Sequence, residues 1–294
     1  MGQLDGRVAI VSGAGGGIGR EHALLMAQEG ARVVVNDLTD PVDVVAEITA
    51  AGGEAVGVAG SVADMATGER LVEAAIDTFG DLHAIVNNAG IVRDAMVWKM
   101  TEEDFDLVVD VHLKGAFSVT RAAARHWRAE AKAGRLADRS IVNTTSAAGL
   151  HGNVGQWNYA AAKAGLAAQV HLAVAELGRY GVRANAISPA ARTAMVTSSP
   201  SLAAAVAAPD DEEAFDKFHP RNASPLVAYL TKADCPFTGQ IFSVTGGHVG
   251  LYRGFSLGHA VDADHAWNVA ELAEVMEDPS FPRTLDVERP KIMS

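Results

Sequence analysis

Short β-branched runs alternate with helical stretches along most of this chain, and that rhythm restricts the fold more than any other feature. Residues 7–12 (RVAIVS), 32–37 (RVVVND), 54–59, 83–87 (HAIVN), 139–144, 182–187 and 241–244 (IFSV) read as seven strands. Residues 18–29, 41–51, 65–79, 102–111, 115–133 and 156–179 read as helices, several of them stopped by glycine. Strands that alternate with helices pair in parallel and are covered by helices on both faces. The expectation is an α/β fold with a doubly wound, seven-stranded parallel sheet. In such sheets ligands sit beyond the carboxyl ends of the strands. Residues that carry chemistry are therefore expected just after each strand.

Two segments break the rhythm. Residues 194–222 form a long apolar-then-acidic connection before a short helix at 224–231, and a connection of that length reads as a lid. Residues 253–294 form a tail rich in proline and acidic residues, with one helix expected at 266–276. The expected organisation is one dinucleotide-binding catalytic domain, 1–252, followed by this extension. The net charge of −12 argues against a protein that tracks nucleic-acid phosphates, while leaving room for a small anionic ligand. The one cysteine, Cys235, excludes an intrachain disulfide and a cysteine zinc cluster, so no metal is expected. No run approaches the roughly 20 apolar residues of a membrane span, and no targeting segment stands out, so a cytoplasmic protein is expected.

The first strand runs into G-A-G-G-G-I-G, Gly13 to Gly19, and a helix starts there. Glycines let backbone approach a pyrophosphate, and the helix start offers free N–H groups. Asp37 ends the second strand, where a carboxylate can accept both ribose hydroxyls of NAD and repel a 2′-phosphate. Arg20 is the neighbouring cation that could instead reach such a phosphate. Asn87-Asn88-Ala89-Gly90 follows the fourth strand and can flank a cofactor. Downstream, Ser146 follows the fifth strand, and Tyr159 and Lys163 are spaced as i and i+4 neighbours on the next helix. A cation beside a phenol favours the phenolate, which would make Tyr159 an acid/base near neutral pH.

With these motifs the chain resembles the short-chain dehydrogenase/reductase family over roughly residues 5 to 250. The family's glycine motif stands as Ser12 to Gly19, its N-N-A-G as Asn87 to Gly90, its serine as Ser146 and its Y-x-x-x-K as Tyr159 to Lys163. The resemblance implies a Rossmann-type sheet. It implies cofactor contacts at Gly13, Gly17, Ile18, Gly19, Asp37, Ser61, Val62, Asn88, Ala89, Gly90, Tyr159, Lys163, Pro189 and Thr193. It implies catalytic roles for Ser146, Tyr159 and Lys163, with His112 beside them. V-V-V-N-D-L, V-H-L-K-G-A-F and G-N-V-G-Q-W-N-Y are similar to the 3-hydroxyacyl-CoA dehydrogenase domains of peroxisomal multifunctional enzyme type 2.

Three positions depart from the common pattern. His112 stands where many relatives carry Asn, Ser61-Val62 replaces Asp-Val, and Pro189-Ala190 replaces Pro-Gly, with Thr193 one residue closer than in many relatives. What the resemblance implies is an NAD-dependent oxidoreductase acting on a secondary alcohol or ketone, on a 3-hydroxyacyl-CoA or a steroid-related substrate. The alternatives are an NADPH-dependent 3-oxoacyl-thioester reductase, a free hydroxysteroid dehydrogenase and, remotely, a non-catalytic NAD sensor. Arg93, Arg192, Arg221 and Arg253 are candidates to meet CoA phosphates. A homodimer or homotetramer paired through the helices at 102–133 and 156–179 is expected, with no nucleic-acid or membrane partner.

Overall fold

The computed structural model describes residues 2–197, 200–211, 213–254 and 260–278. Backbone contacts divide the chain into two compact units, Met1–Tyr252 and Arg253–Ser294. The larger unit runs β1 (Val8–Val11), α1 (Gly17–Gln28), β2 (Arg32–Asp37), α2 (Val42–Ala50), β3 (Glu54–Ala59), α3 (Met65–Phe79) and β4 (Ala84–Asn87). It continues through α4 (Glu102–Val109), a π turn (Asp110–Lys114), α5 (Gly115–Lys132), β5 (Arg139–Thr144), α6 (Ala147–His151), α7 (Trp157–Leu177) and β6 (Val182–Pro189). Last come α8 (Ala194–Thr197), α9 (Pro200–Ala205), α10 (Ser224–Thr231), β7 (Ile241–Thr245) and β8 (His248–Leu251). In the smaller unit α11 (Val269–Glu277) is held by a reciprocal capping box between Asn268 and Glu271.

The strands form one sheet in the order β3-β2-β1-β4-β5-β6-β7-β8. It has eight strands, not seven, and it is not wholly parallel: β8 runs antiparallel to β7, with Val244 opposite Val249. The eighth strand escaped the sequence because nothing buries it. Val249 and Leu251 are exposed, Gly250 interrupts the run, and only hydrogen bonding to β7 defines it. Strand order reverses between β1 and β4, with Ala9 paired to both Val33 and Ala84, and this opens a crevice at the carboxyl edge.

Strand residues point alternately to the two faces, and both faces are covered. Ala9 and Val11 of β1 join Met26, Val33, Ile48, Val227 and Leu230 under α1, α2 and α10. Val8 and Ile10 join Leu71, Ile85, Trp127 and Val170 under α3, α5 and α7. This double burial explains the unbroken apolar runs in the sequence. The amino edge of the sheet is closed by charge. Arg139 donates to Asp81 at 2.6 Å, and Arg183 grips Asp138 with two bonds of 3.0 and 2.7 Å. The carboxyl edge carries glycines, amides and hydroxyls, with the Asp37 carboxylate at the end of β2.

Candidate active site

The turn from β1 into α1 is shaped by close approaches. A Cβ on Gly19 would lie 2.1 Å from the Gly13 carbonyl oxygen and 2.5 Å from Asn88 Nδ2. Asn88 Nδ2 donates to the carbonyls of Ser12 and Gly13 at 3.1 and 3.2 Å. Ser12 Oγ accepts the N–H groups of Asn88 and Ala89 at 3.0 and 3.2 Å. The loop after β4 thus clamps the glycine turn, and part of the glycine requirement is internal packing. Gly17 has φ of +55°, and Gly16 at the helix start supplies no side-chain cap. The leading N–H groups of α1 therefore have no side-chain acceptor at that cap, the arrangement that receives a phosphate. Ile18, just inside α1, packs on the core.

Asp37 is held at both oxygens. Gly15 N–H donates to Oδ2 at 2.8 Å and Leu38 N–H donates to Oδ1 at 2.7 Å. The carboxylate is fixed against the glycine turn with lone pairs to spare for two hydroxyl donors. Arg20 turns elsewhere: it bonds Glu21 at 2.8 Å and also pairs with Glu47. Val62 is 4% exposed and packs on Gly115, while Ser61 Oγ accepts the Ala63 N–H at 3.3 Å. Pro189 ends β6 opposite Val244, and the Thr193 methyl lies 3.8 Å from where a Cβ on Gly17 would stand. The residues present fit a nicotinamide dinucleotide: a glycine turn beside an uncapped helix start, and an oriented carboxylate one strand away.

Across the crevice, Ser146 follows β5 and caps α6, its Oγ accepting the Ala148 N–H at 3.2 Å. Thr145 donates to the Lys163 carbonyl at 2.6 Å and ties β5 to α7. Lys163 is 3% exposed, and its Nζ donates to the Thr144 carbonyl at 2.6 Å. Nζ stands 5.5 Å from the centroid of the Tyr159 ring. Burial lowers the Lys163 pKa to about 7. Burial also raises the Tyr159 pKa, and the hydrogen bond with the Ser146 hydroxyl works against that rise while Asp94 adds to it. The expected lowering of the phenol is thus not found, because desolvation of the phenolate outweighs the Ser146 hydrogen bond.

His112 lies in the π turn, 1% exposed, against Gly90. Its Nε2 meets the backbone of Ile91 at 2.7 Å to the carbonyl oxygen and 3.0 Å to the nitrogen. Nδ1 is buried without a partner. Burial first, and then the neighbouring Lys163, lower its pKa to about 3, so the ring is neutral. A residue that sequence reasoning missed stands directly before Tyr159. Asn158 is fully buried, donates to the carbonyls of Arg93 and Asp104 at 3.0 Å each, and accepts the Tyr159 N–H at 2.7 Å. It joins the loop after β4 and the first turn of α4 to the base of α7. The signal for it was an amide directly before the tyrosine at a helix start. Ser146, Tyr159, Lys163 and His112 are brought to one end of the sheet, with Asn88 and the glycine turn on the other side of the crevice.

A family model described as short chain dehydrogenase matches residues 7–202. The chain is 44% identical over 288 residues to hydroxyacyl-CoA dehydrogenase ChsB1 of Mycobacterium tuberculosis, covering 94% of this chain and 89% of that protein. It is 39% identical over 263 residues to the peroxisomal multifunctional enzyme type 2 of Mus musculus, spanning 85% of this chain and only 33% of that longer protein. Among solved structures, a short chain dehydrogenase from Mycobacterium avium superposes with a TM-score of 0.85 at 48% identity, covering 94% of this chain and 95% of that one.

Proposed function

The chain belongs to the short chain dehydrogenase family, and from that premise we propose that it uses NAD to interconvert a secondary alcohol and a ketone on a 3-hydroxyacyl-CoA or steroid-related substrate. The grouping of Ser146, Tyr159 and Lys163 at the strand ends carries the reaction class. The fixed Asp37 carboxylate carries the cofactor choice, because its charge would face a 2′-phosphate while the nearby cation, Arg20, is committed to two glutamates. The name of the relative ChsB1 supports the thioester.

Bound NAD supplies the hydride acceptor. The protein's own groups handle the proton. The Ser146 hydroxyl orients the substrate oxygen, and the Tyr159 phenolate takes the alcohol proton as the carbonyl forms. Lys163 spends one N–H on Thr144 and has two more for the phenolate side and the ribose. Burial disfavours the Tyr159 phenolate and the Ser146 hydrogen bond favours it, so the phenolate grows as pH rises. In the reductive direction the same phenol donates.

Of the arginines considered for CoA phosphates, Arg192 is bound to Asp216 and Arg93 lies 3.9 Å from Asp104, while Arg221 makes no ion pair among the described residues. An oligomer built on α4, α5 and α7 fits the exposure of Phe105, Phe117, Trp157 and Leu172. No helix among the described residues is long and apolar enough to cross a membrane. The test is a comparison of kcat/KM, with NAD and with NADP, for a 3-hydroxyacyl-CoA, a free hydroxysteroid and a simple secondary alcohol. The reading expects the thioester with NAD to lead. A lead for the free steroid, or for NADP, overturns that part of it. NAD binding without turnover of any alcohol overturns the enzyme reading.

A further inference from the structure

The connection after β6 is closed on itself by one ion pair. Arg192 Nη1 donates to Asp216 Oδ1 at 3.2 Å and Nη2 pairs with Oδ2, joining residues 24 apart in sequence. The same guanidinium donates to the Val206 carbonyl at 2.9 Å, and the Arg192 N–H donates to the Phe218 carbonyl at 2.7 Å. Asp216 Oδ1 also accepts the Phe218 N–H at 3.1 Å. Asn222 completes the knot by donating to the carbonyls of Asp216 and Lys217 at 2.8 and 3.1 Å. The far end rests on the body of the sheet: a Cβ on Gly246, in the turn between β7 and β8, would lie 2.9 Å from Lys217 and 3.2 Å from Phe215. The near end leads straight to Thr193, which faces Gly17 of the cofactor turn. The side chains of Arg192 and Asp216 are 23% and 16% exposed, so solvent screens the pair only in part.

We propose that the Arg192–Asp216 pair is a positioning staple that fixes Thr193 against the cofactor turn and ties both ends of the substrate-side connection together. Neither side chain touches the reacting atoms. The pair acts on how well the ground-state complex is assembled, not on proton transfer. Bidentate arginine suits the task because its planar fork fixes direction as well as distance, and the Val206 carbonyl uses the third contact. The inference rests on the dehydrogenase reading for its kinetic readout, and on dinucleotide binding alone for a second, independent one.

The experiment is a double-mutant cycle with Arg192→Gln, Asp216→Asn and the double variant. KM and kcat are read for the best alcohol of the panel above, and Kd for NADH from fluorescence. Each single variant is expected to raise KM and the NADH Kd about tenfold while kcat stays within about twofold, a split expected of lost uniform binding. The double variant is expected to be no worse than either single one, because both remove the same interaction. Effects that multiply to about a hundredfold, or a fall in kcat with KM unchanged, overturn the staple. If a glutamine variant does not fold, Arg192→Lys decides: a rise of about threefold in Kd is expected, since one ammonium cannot hold three acceptors in this geometry, and an unchanged Kd overturns the proposal. A wild-type protein that binds NADH but turns over no alcohol would sink the dehydrogenase reading and leave the Kd arm of the cycle intact.

Discussion

The imidazole of His112 stands edge-on to the phenol ring of Tyr159, with ring centroids 5.2 Å apart and planes at 87°. The contact is possible because α4 and α5 are joined by a π turn, which turns His112 inward beneath Gly90. The ring is anchored by Ile91 on one side and bears on the tyrosine on the other. His112→Leu should therefore lower kcat about tenfold, the value of one hydrogen bond and one aromatic contact, while NADH binding changes little. His112→Asn, which can still bond the Ile91 backbone, should retain more activity than His112→Leu. Steady-state rates on the three proteins check the order.

Tyr159 supplies the sharpest activity test. Tyr159→Phe should cost about 10²–10⁴ in kcat while leaving NADH affinity largely intact. In the wild type the phenol is held above its ordinary value by burial, so the phenolate grows only as pH rises. The kcat/KM for oxidation should climb with pH through the alkaline range. A flat profile there would remove Tyr159 as the base.

Asp37→Ala should shift the cofactor preference. A hydrogen bond to a charged acceptor contributes about 1.5–3 kcal/mol, so the NAD-to-NADP ratio of kcat/KM should fall by at least about tenfold. The variant also frees the Gly15 and Leu38 N–H groups, so some loss with both cofactors is expected. An unchanged ratio would separate Asp37 from the ribose.

Acid should destabilise the fold well before its carboxylates titrate. Burial lowers the pKa of His22 to about 3, of His83 to about 4 and of His112 to about 3. Each binds a proton more readily unfolded, where histidine has a pKa of about 6.5. Their stabilising contribution is complete above that value and is lost as pH falls towards the folded values. The slope for each histidine is about 1.4 kcal/mol per pH unit within that window. Lys163, lowered to about 7, carries the same sign at higher pH, with stability rising from there towards the unfolded lysine value. Urea unfolding across the acid range measures the slope. His22, whose Nδ1 bonds Ser224 at 2.8 Å while Nε2 lies buried without a partner, is the cleanest probe, and His22→Leu should reduce the slope by about one proton.

The glycines after β1, Asp37, Ser146, Tyr159 and Lys163 were legible because each obeys a local rule: a turn, a strand end or a helix period. The eighth strand was not, since a solvent-facing edge leaves no apolar run to read. Asn158 was not, because an amide signals its role only through the two carbonyls it meets, more than fifty positions away in sequence. Arg192 read as a free cation until Asp216 was placed beside it.

Local pattern alone determined the alternating elements, the parallel order of most of the sheet and the order in which chemical groups follow the strands, because periodicity and turn chemistry act over a few residues. The tertiary structure alone decided which hydroxyl caps α6, which way the pKa values of Tyr159 and Lys163 move, and which arginine is already spent. Those outcomes depend on burial and on partners brought in from distant segments, and desolvation is a property of the assembled crevice.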